Sequence, residues 1–133
     1  MNWKLIFQLS VFGLIMAVAT ISLISQNIEP IFWLVILIIS AWVIAKAAPR
    51  KYFLHGFLVC LVNCLWIIAA HVLFYNTYIV HHPAMQNLNN VMPAGMATHP
   101  RLIMAITGPV FGILSGLVLG IFALIASKII KKA

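Results

Sequence analysis

The chain has 133 residues, is 65% hydrophobic and only 7% charged, and carries a formal net charge of +7 with a mean hydropathy of +1.14. That usage excludes a soluble globular domain and identifies an integral membrane protein folded as a single transmembrane domain. The positive balance does not point to nucleic acid, because the cations are divided among short segments flanking the apolar runs, where they orient the chain and attract anionic lipid of the surrounding bilayer.

Four apolar runs can be read, roughly 5 to 25, 31 to 48, 53 to 79 and 102 to 127. Each meets or approaches the ~20 residues that cross a hydrocarbon core of ~30 Å. Backbone groups in lipid must be satisfied within their own segment, and these runs are too long and uniform for barrel strands, so they are expected to be helices. The expected fold is all-α, a polytopic transmembrane bundle of four helices.

The first span carries a track of small residues, Ser10, Gly13, Ala17 and Thr20, able to receive a neighbouring helix. Its opening MNWK, its apolar LIFQLSVFGLIM and the AVA before Thr20 also resemble a cleavable signal peptide. A weakly charged start and hydrophobicity running on through Ile24 favour a retained span. Next comes SQNIEP, a tight turn in which Pro30 opens the second span as a first-turn proline. That span is almost purely apolar, with Ser40 as its exception, and stops at Pro49; it reads as a lipid-facing or packing helix without chemistry.

The third span differs because its polar residues form a pattern. At about 100° per residue, Gly56, Cys60, Asn63, Cys64, Ile67, His71, Tyr75 and Tyr78 fall on one stripe, with His55 elsewhere. Intramembrane Asn and His are costly to leave facing lipid, so the stripe should face the bundle interior or a wet cleft. Cys60 and Cys64 stand at i, i+4, a spacing that does not offer disulfide geometry within a helix, and read as small buried thiols.

The connection HHPAMQNLNNVMPAGMATHPR, residues 81 to 101, is long for so compact a chain. Pro83 can open a short helix through about Asn90, Met92 to Gly95 reads as a turn, and Thr98 is the expected N-cap of the fourth span. His81, His82 and His99 with Met85, Met92 and Met96 assemble imidazoles and thioethers of the kind that suit copper or silver, though at spacings that match no fixed metal motif.

The fourth span must absorb Pro109, which removes an N–H and frees the carbonyl of Ala105, so a kink is expected there. Gly108, Gly112, Gly116 and Gly120 then recur at every fourth position. Each step turns about 400°, so the glycines wind slowly round the helix over ~18 Å and mark a face for close backbone packing. The partner is another helix of the chain, with the first span (Gly13 and Ala17) or the third as candidates, or a second copy in a homo-oligomer, and the lining of a pore is the remaining reading.

Orientation follows from the cations. Lys4, Lys46, Arg50, Lys51, Lys128, Lys131 and Lys132 flank one side, and Arg101 alone lies on the other, with Glu29, the sole acidic residue. The N- and C-termini are therefore expected to be cytoplasmic, with the 26 to 30 turn and the 80 to 101 loop outside. Compact size and short loops suggest the inner membrane of a bacterium.

Chemistry is narrow. Without aspartate, and with one glutamate, carboxylate pairs and carboxylate proton relays are absent from a single chain. His71 stands ~10 Å in depth from Ser115, too far to activate it, so an enzyme is not expected, nor a cofactor. A structural hydrogen bond between Ser115 and Asn63, at similar depth, is expected instead. His71, Asn63, Tyr75, Tyr78 and Thr107 are expected to line an outward-opening pocket between the third and fourth spans. These residues make transport or binding of a small molecule or ion the leading expectation. A structural or regulatory membrane subunit and copper or silver handling are the alternatives. The motifs resemble no family: small multidrug-resistance exporters, for example, need a glutamate inside the first helix, and this chain has none there.

Overall fold

The computed structural model describes residues 1 to 130, and among them every regular element is a helix. Four are long and apolar enough to cross a membrane: α1 (Trp3–Ser22), α2 (Glu29–Ala47), α3 (Tyr52–Leu73) and α7 (Pro100–Ile130). Three short ones, α4 (Tyr75–His81), α5 (Pro83–Val91) and α6 (Ala94–Ala97), make up the long connection between α3 and α7. The chain is thus an all-α protein with four membrane-spanning helices. Lys131 and Lys132, which contribute to the charge asymmetry, lie outside the described residues.

Local chemistry sets the helix ends. Asn2 caps α1 by accepting the Leu5 N–H on Oδ1 at 3.1 Å. Glu29 and Pro30 occupy the first turn of α2, an acid and a proline where the helix dipole and the missing N–H favour them. At the other end Ala48, preceding Pro49, is extended, and Lys51 adopts a left-handed conformation with φ 59°, so the chain reverses into α3 within four residues, 48 to 51. Thr98 does not cap α7 as expected. Its hydroxyl donates to the Gly95 carbonyl at 3.0 Å, closing α6, while the His99 carbonyl receives the first α7 bond from Ile103. Met92 and Pro93 are extended and the chain turns through α6. Pro109 is accommodated inside α7, whose helical structure runs unbroken past it.

The third apolar run does not continue to residue 79. It breaks at Phe74, a non-helical residue (φ −102°, ψ 29°) that ends α3 and starts α4. Neither proline nor glycine marks this break in the sequence. At about 1.5 Å per residue, α7 is roughly 46 Å long, more than the membrane core, so it must tilt or project beyond it.

α3 packs against α1 on one side and α7 on another, and α2 packs against α7. One half of the bundle has a common apolar core drawn from all four helices: Leu5, Ile6 and Leu9, Ala41 and Ile44, Val59, Leu119 and Ala123. The other half has only a small cluster of Ala17, Ile21 and Ala70, between α1 and α3. In α7 no residue before Gly112 is buried. Most of α2 is exposed, in keeping with a lipid-facing helix.

The glycines of α7 meet α3 within the chain. A Cβ at Gly112 would lie 2.7 Å from Cβ of Cys64, one at Gly116 would lie 2.9 Å from the Phe57 ring, and one at Gly120 would lie 2.6 Å from the Phe53 ring. Gly108 faces Ile68 in the same way. Contact is reciprocal, since a Cβ at Gly56 would lie 2.8 Å from the Leu119 carbonyl oxygen. Gly13 and Ala17 of α1 do not join this face: a side chain at Gly13 would overlap Asn63, and Ala17 packs with Ile21 and Ala70.

Candidate functional site

The polar stripe of α3 divides between two neighbours. Gly56, Cys60 and Cys64 face α7, whereas Asn63 and His71 face α1. A stripe of about 120° is wide enough to touch two packed helices, so a common wheel position did not imply a common partner. The expected pocket between the third and fourth spans is therefore not assembled. Thr107 is exposed, and its hydroxyl donates to the Ile103 carbonyl of its own helix at 2.9 Å. Tyr75 turns to the loop, where its hydroxyl accepts from Asn89 Nδ2 and its ring lies under Arg101. Ser115 does not bond Asn63 either, because it donates to the Phe111 carbonyl at 2.8 Å and neighbours Cys60.

Polar groups converge instead where α1, α2, α3 and α4 come together, at the end of the bundle opposite the common apolar core. Thr20, fully buried, gives its hydroxyl proton to the Met16 carbonyl at 2.8 Å. Its oxygen is then left to accept, so His71 Nε2, at 2.9 Å, carries the proton of that bond. The His71 ring stacks on Tyr78 with centroids 4.1 Å apart, and Tyr78 stacks on His82 at 3.9 Å. Seven residues of continuous helix would separate His71 and Tyr78 by about 10.5 Å along the axis; the irregular turn at Phe74 helps bring the rings together.

The column ends on the chain's one carboxylate. His82, 1% exposed, lies with Nε2 3.4 Å from Glu29 Oε2, and the Trp33 indole N–H donates to Glu29 Oε1 at 3.1 Å. His82 Nδ1 is 2.9 Å from the Tyr78 carbonyl oxygen. A carbonyl only accepts, so Nδ1 must carry a proton. With Nδ1 protonated, a neutral ring would present a lone pair to Glu29. Contact between Nε2 and Oε2 becomes attractive when one further proton is bound, on the imidazole or on the carboxyl. Tyr78 lies beyond the end of the third span, and burial together with the nearby Glu29 charge pushes its phenol up to about 12.

The remaining polar groups of the α1–α3 contact are separate from this column. Ser10 accepts a long bond from the Trp66 indole at 3.5 Å, and Asn63 Oδ1 is buried without a partner. At the far end His55, 2% exposed, accepts the Asn2 N–H on Nε2 at 3.0 Å and donates from Nδ1 to the Lys51 carbonyl at 2.9 Å.

The loop histidines and methionines do not gather. His82 is turned inward to Glu29, His81 bonds the Thr77 carbonyl on the exposed side, and His99, Met85 and Met96 are exposed, with Met92 half-buried. Among the described residues no three His, Cys, Asp or Glu side chains are grouped so as to hold a metal ion. His82 alone of the set is drawn to the lone acid Glu29, a residue whose sequence context is a tight turn. The signal for that pairing is a single acidic side chain at the membrane edge, in a chain with three histidines in the long connection on the same side. No family model matches the chain, and neither a curated protein nor a solved structure is similar to it.

Proposed function

We propose that this is a small-ligand-binding protein of a bacterial inner membrane, with both termini cytoplasmic, and that its ligand is a proton taken up on the outer side at the His82–Glu29 pair. Seven of eight cations flank one side, which supports the orientation. One observation carries the binding reading: His82 Nδ1 is committed to the Tyr78 carbonyl, so its contact with Glu29 is attractive only with a further proton. The groups facing that proton are Glu29 from α2, Tyr78 on the same short helix as the carbonyl, and His71 from α3 through the stack. Binding it draws the α4–α5 junction onto the start of α2.

Trp33, bonded to Glu29, reports the event. With Trp3, Trp42 and Trp66 replaced by Phe and the protein in nanodiscs, Trp33 emission is expected to titrate with pH, and His82→Gln is expected to flatten the curve. Emission that ignores pH, or titrates unchanged in His82→Gln, rejects the reading.

A second reading, a structural or regulatory membrane subunit, is favoured by the filled α3–α7 interface, where the α7 glycines leave no room for even a Cβ. In that case the bound proton changes the shape seen by a partner rather than accompanying a cargo. Proteoliposomes separate the two: proton flux through the protein supports transport, and titration without flux supports regulation.

A further inference from the structure

At the end of the bundle opposite Glu29, the first turn of α1 and the α2–α3 reversal border an open cavity of about 480 Å³. Its volume lies within the ~300–1,000 Å³ typical of ligand sites. Its walls include Asn2 and Trp3 from α1, Arg50 and Lys51 from the reversal, and His55 from α3. The only ion pair among the described residues is His82–Glu29, so among those residues no carboxylate side chain neutralises Arg50 and Lys51 at the cavity. His55 does not add charge, since Nε2 accepts from Asn2 and Nδ1 donates to Lys51. It instead ties both walls together and holds Lys51 in its left-handed conformation. The cavity also opens beside the start of α3, whose dipole favours an anion there.

We infer that the cavity lined by Arg50, Lys51, Asn2 and Trp3 is a binding site for a phosphate group, carried by an anionic lipid headgroup or by free phosphate. A guanidinium presents paired N–H donors that match phosphate oxygens, and the lysine ammonium adds a point charge. Trp3, half exposed at the helix start, is the kind of residue that sits at headgroup level. The site is independent of the proton-binding column, at the other end of α3.

Native mass spectrometry of the full chain released from detergent tests the inference. The probes are phosphatidylglycerol, phosphatidylcholine and inorganic phosphate. Wild type is expected to retain phosphatidylglycerol over phosphatidylcholine, and R50Q/K51Q to lose about tenfold of that retention. K46Q/K128Q, which removes two cations that do not line the cavity, should leave it unchanged. Binding of inorganic phosphate with the same dependence on Arg50 and Lys51, without lipid retention, would assign free phosphate as the source. Retention unaltered in R50Q/K51Q, equal loss in both double variants, or binding of neither probe overturns the site. Should R50Q/K51Q not elute as a folded protein, Arg50→Gln alone, at an exposed position, must show a reduced retention on the same assay.

Discussion

Tyr78 sits between two imidazoles and near the only carboxylate, and its chemistry follows from that company. Burial first, and the Glu29 charge second, disfavour the phenolate and push the phenol up to about 12, against about 10 in an unfolded chain. A group that holds its proton more tightly when folded stabilises the fold fully below the unfolded value. That contribution is then lost as pH rises through the folded one. Stability should therefore fall between about pH 10 and 12. Tyr78→Phe keeps the ring stack but has no phenol to titrate, so its loss over that interval should be smaller, and the latest component of the phenolate absorbance titration should vanish. Identical alkaline unfolding of the two proteins would show that the Tyr78 phenol is not held in this way. Residues of this column were only partly legible in the sequence. His71 and Tyr78 announce themselves as costly polar groups in an apolar run, but Thr20 looks like one more small residue and Glu29 like part of a turn. Both acquire their roles from partners 51 and 53 positions away, a relation that helical periodicity within one segment does not contain.

Among the elements, α7 shows how far periodicity does reach. Glycine at every fourth position specified a face for close approach, and α3 occupies it, with the Phe53 and Phe57 rings and the Cys64 side chain lying where Cβ atoms would be. The identity of the partner was not legible, because small residues on α1 offered an equally suitable groove; there Gly13 is taken by Asn63 instead. The break at Phe74 is hidden for a different reason: no proline or glycine stands near it, and the stack of His71, Tyr78 and His82 spans the turn where a local breaker is missing. Gly116→Leu tests the use of the α7 face. A leucine there must displace the Phe57 ring and backbone, an overpacking that costs about 1–3 kcal/mol or more. Thermal stability in mild detergent should drop clearly while the size of the particle stays the same. Unchanged stability with a smaller particle would instead place this face between two copies.

Across the whole molecule, polarity is distributed by end. One end combines the common apolar core with Lys46, Lys128 and the cavity lined by Arg50 and Lys51; the other combines the small α1–α3 cluster with Glu29, the imidazole column and Arg101. The four spans and this charge asymmetry were readable from composition and run length alone, since the bilayer imposes both. The asymmetry predicts orientation: with the basic end in the cytoplasm, Asn27 and Gly95, both exposed, lie outside, and Ala47, exposed at the end of α2, lies inside. Native Cys60 and Cys64 are buried and should give little background. Single cysteines at Asn27 and Gly95 are expected to react in intact cells with a membrane-impermeant maleimide, and one at Ala47 only after permeabilisation. The opposite pattern would place His82 and Glu29 on the cytoplasmic side, so that any proton they bind comes from within the cell. Labelling of Asn27 without Gly95 would contradict four crossings, because the two positions are joined by an even number of spans, α2 and α3.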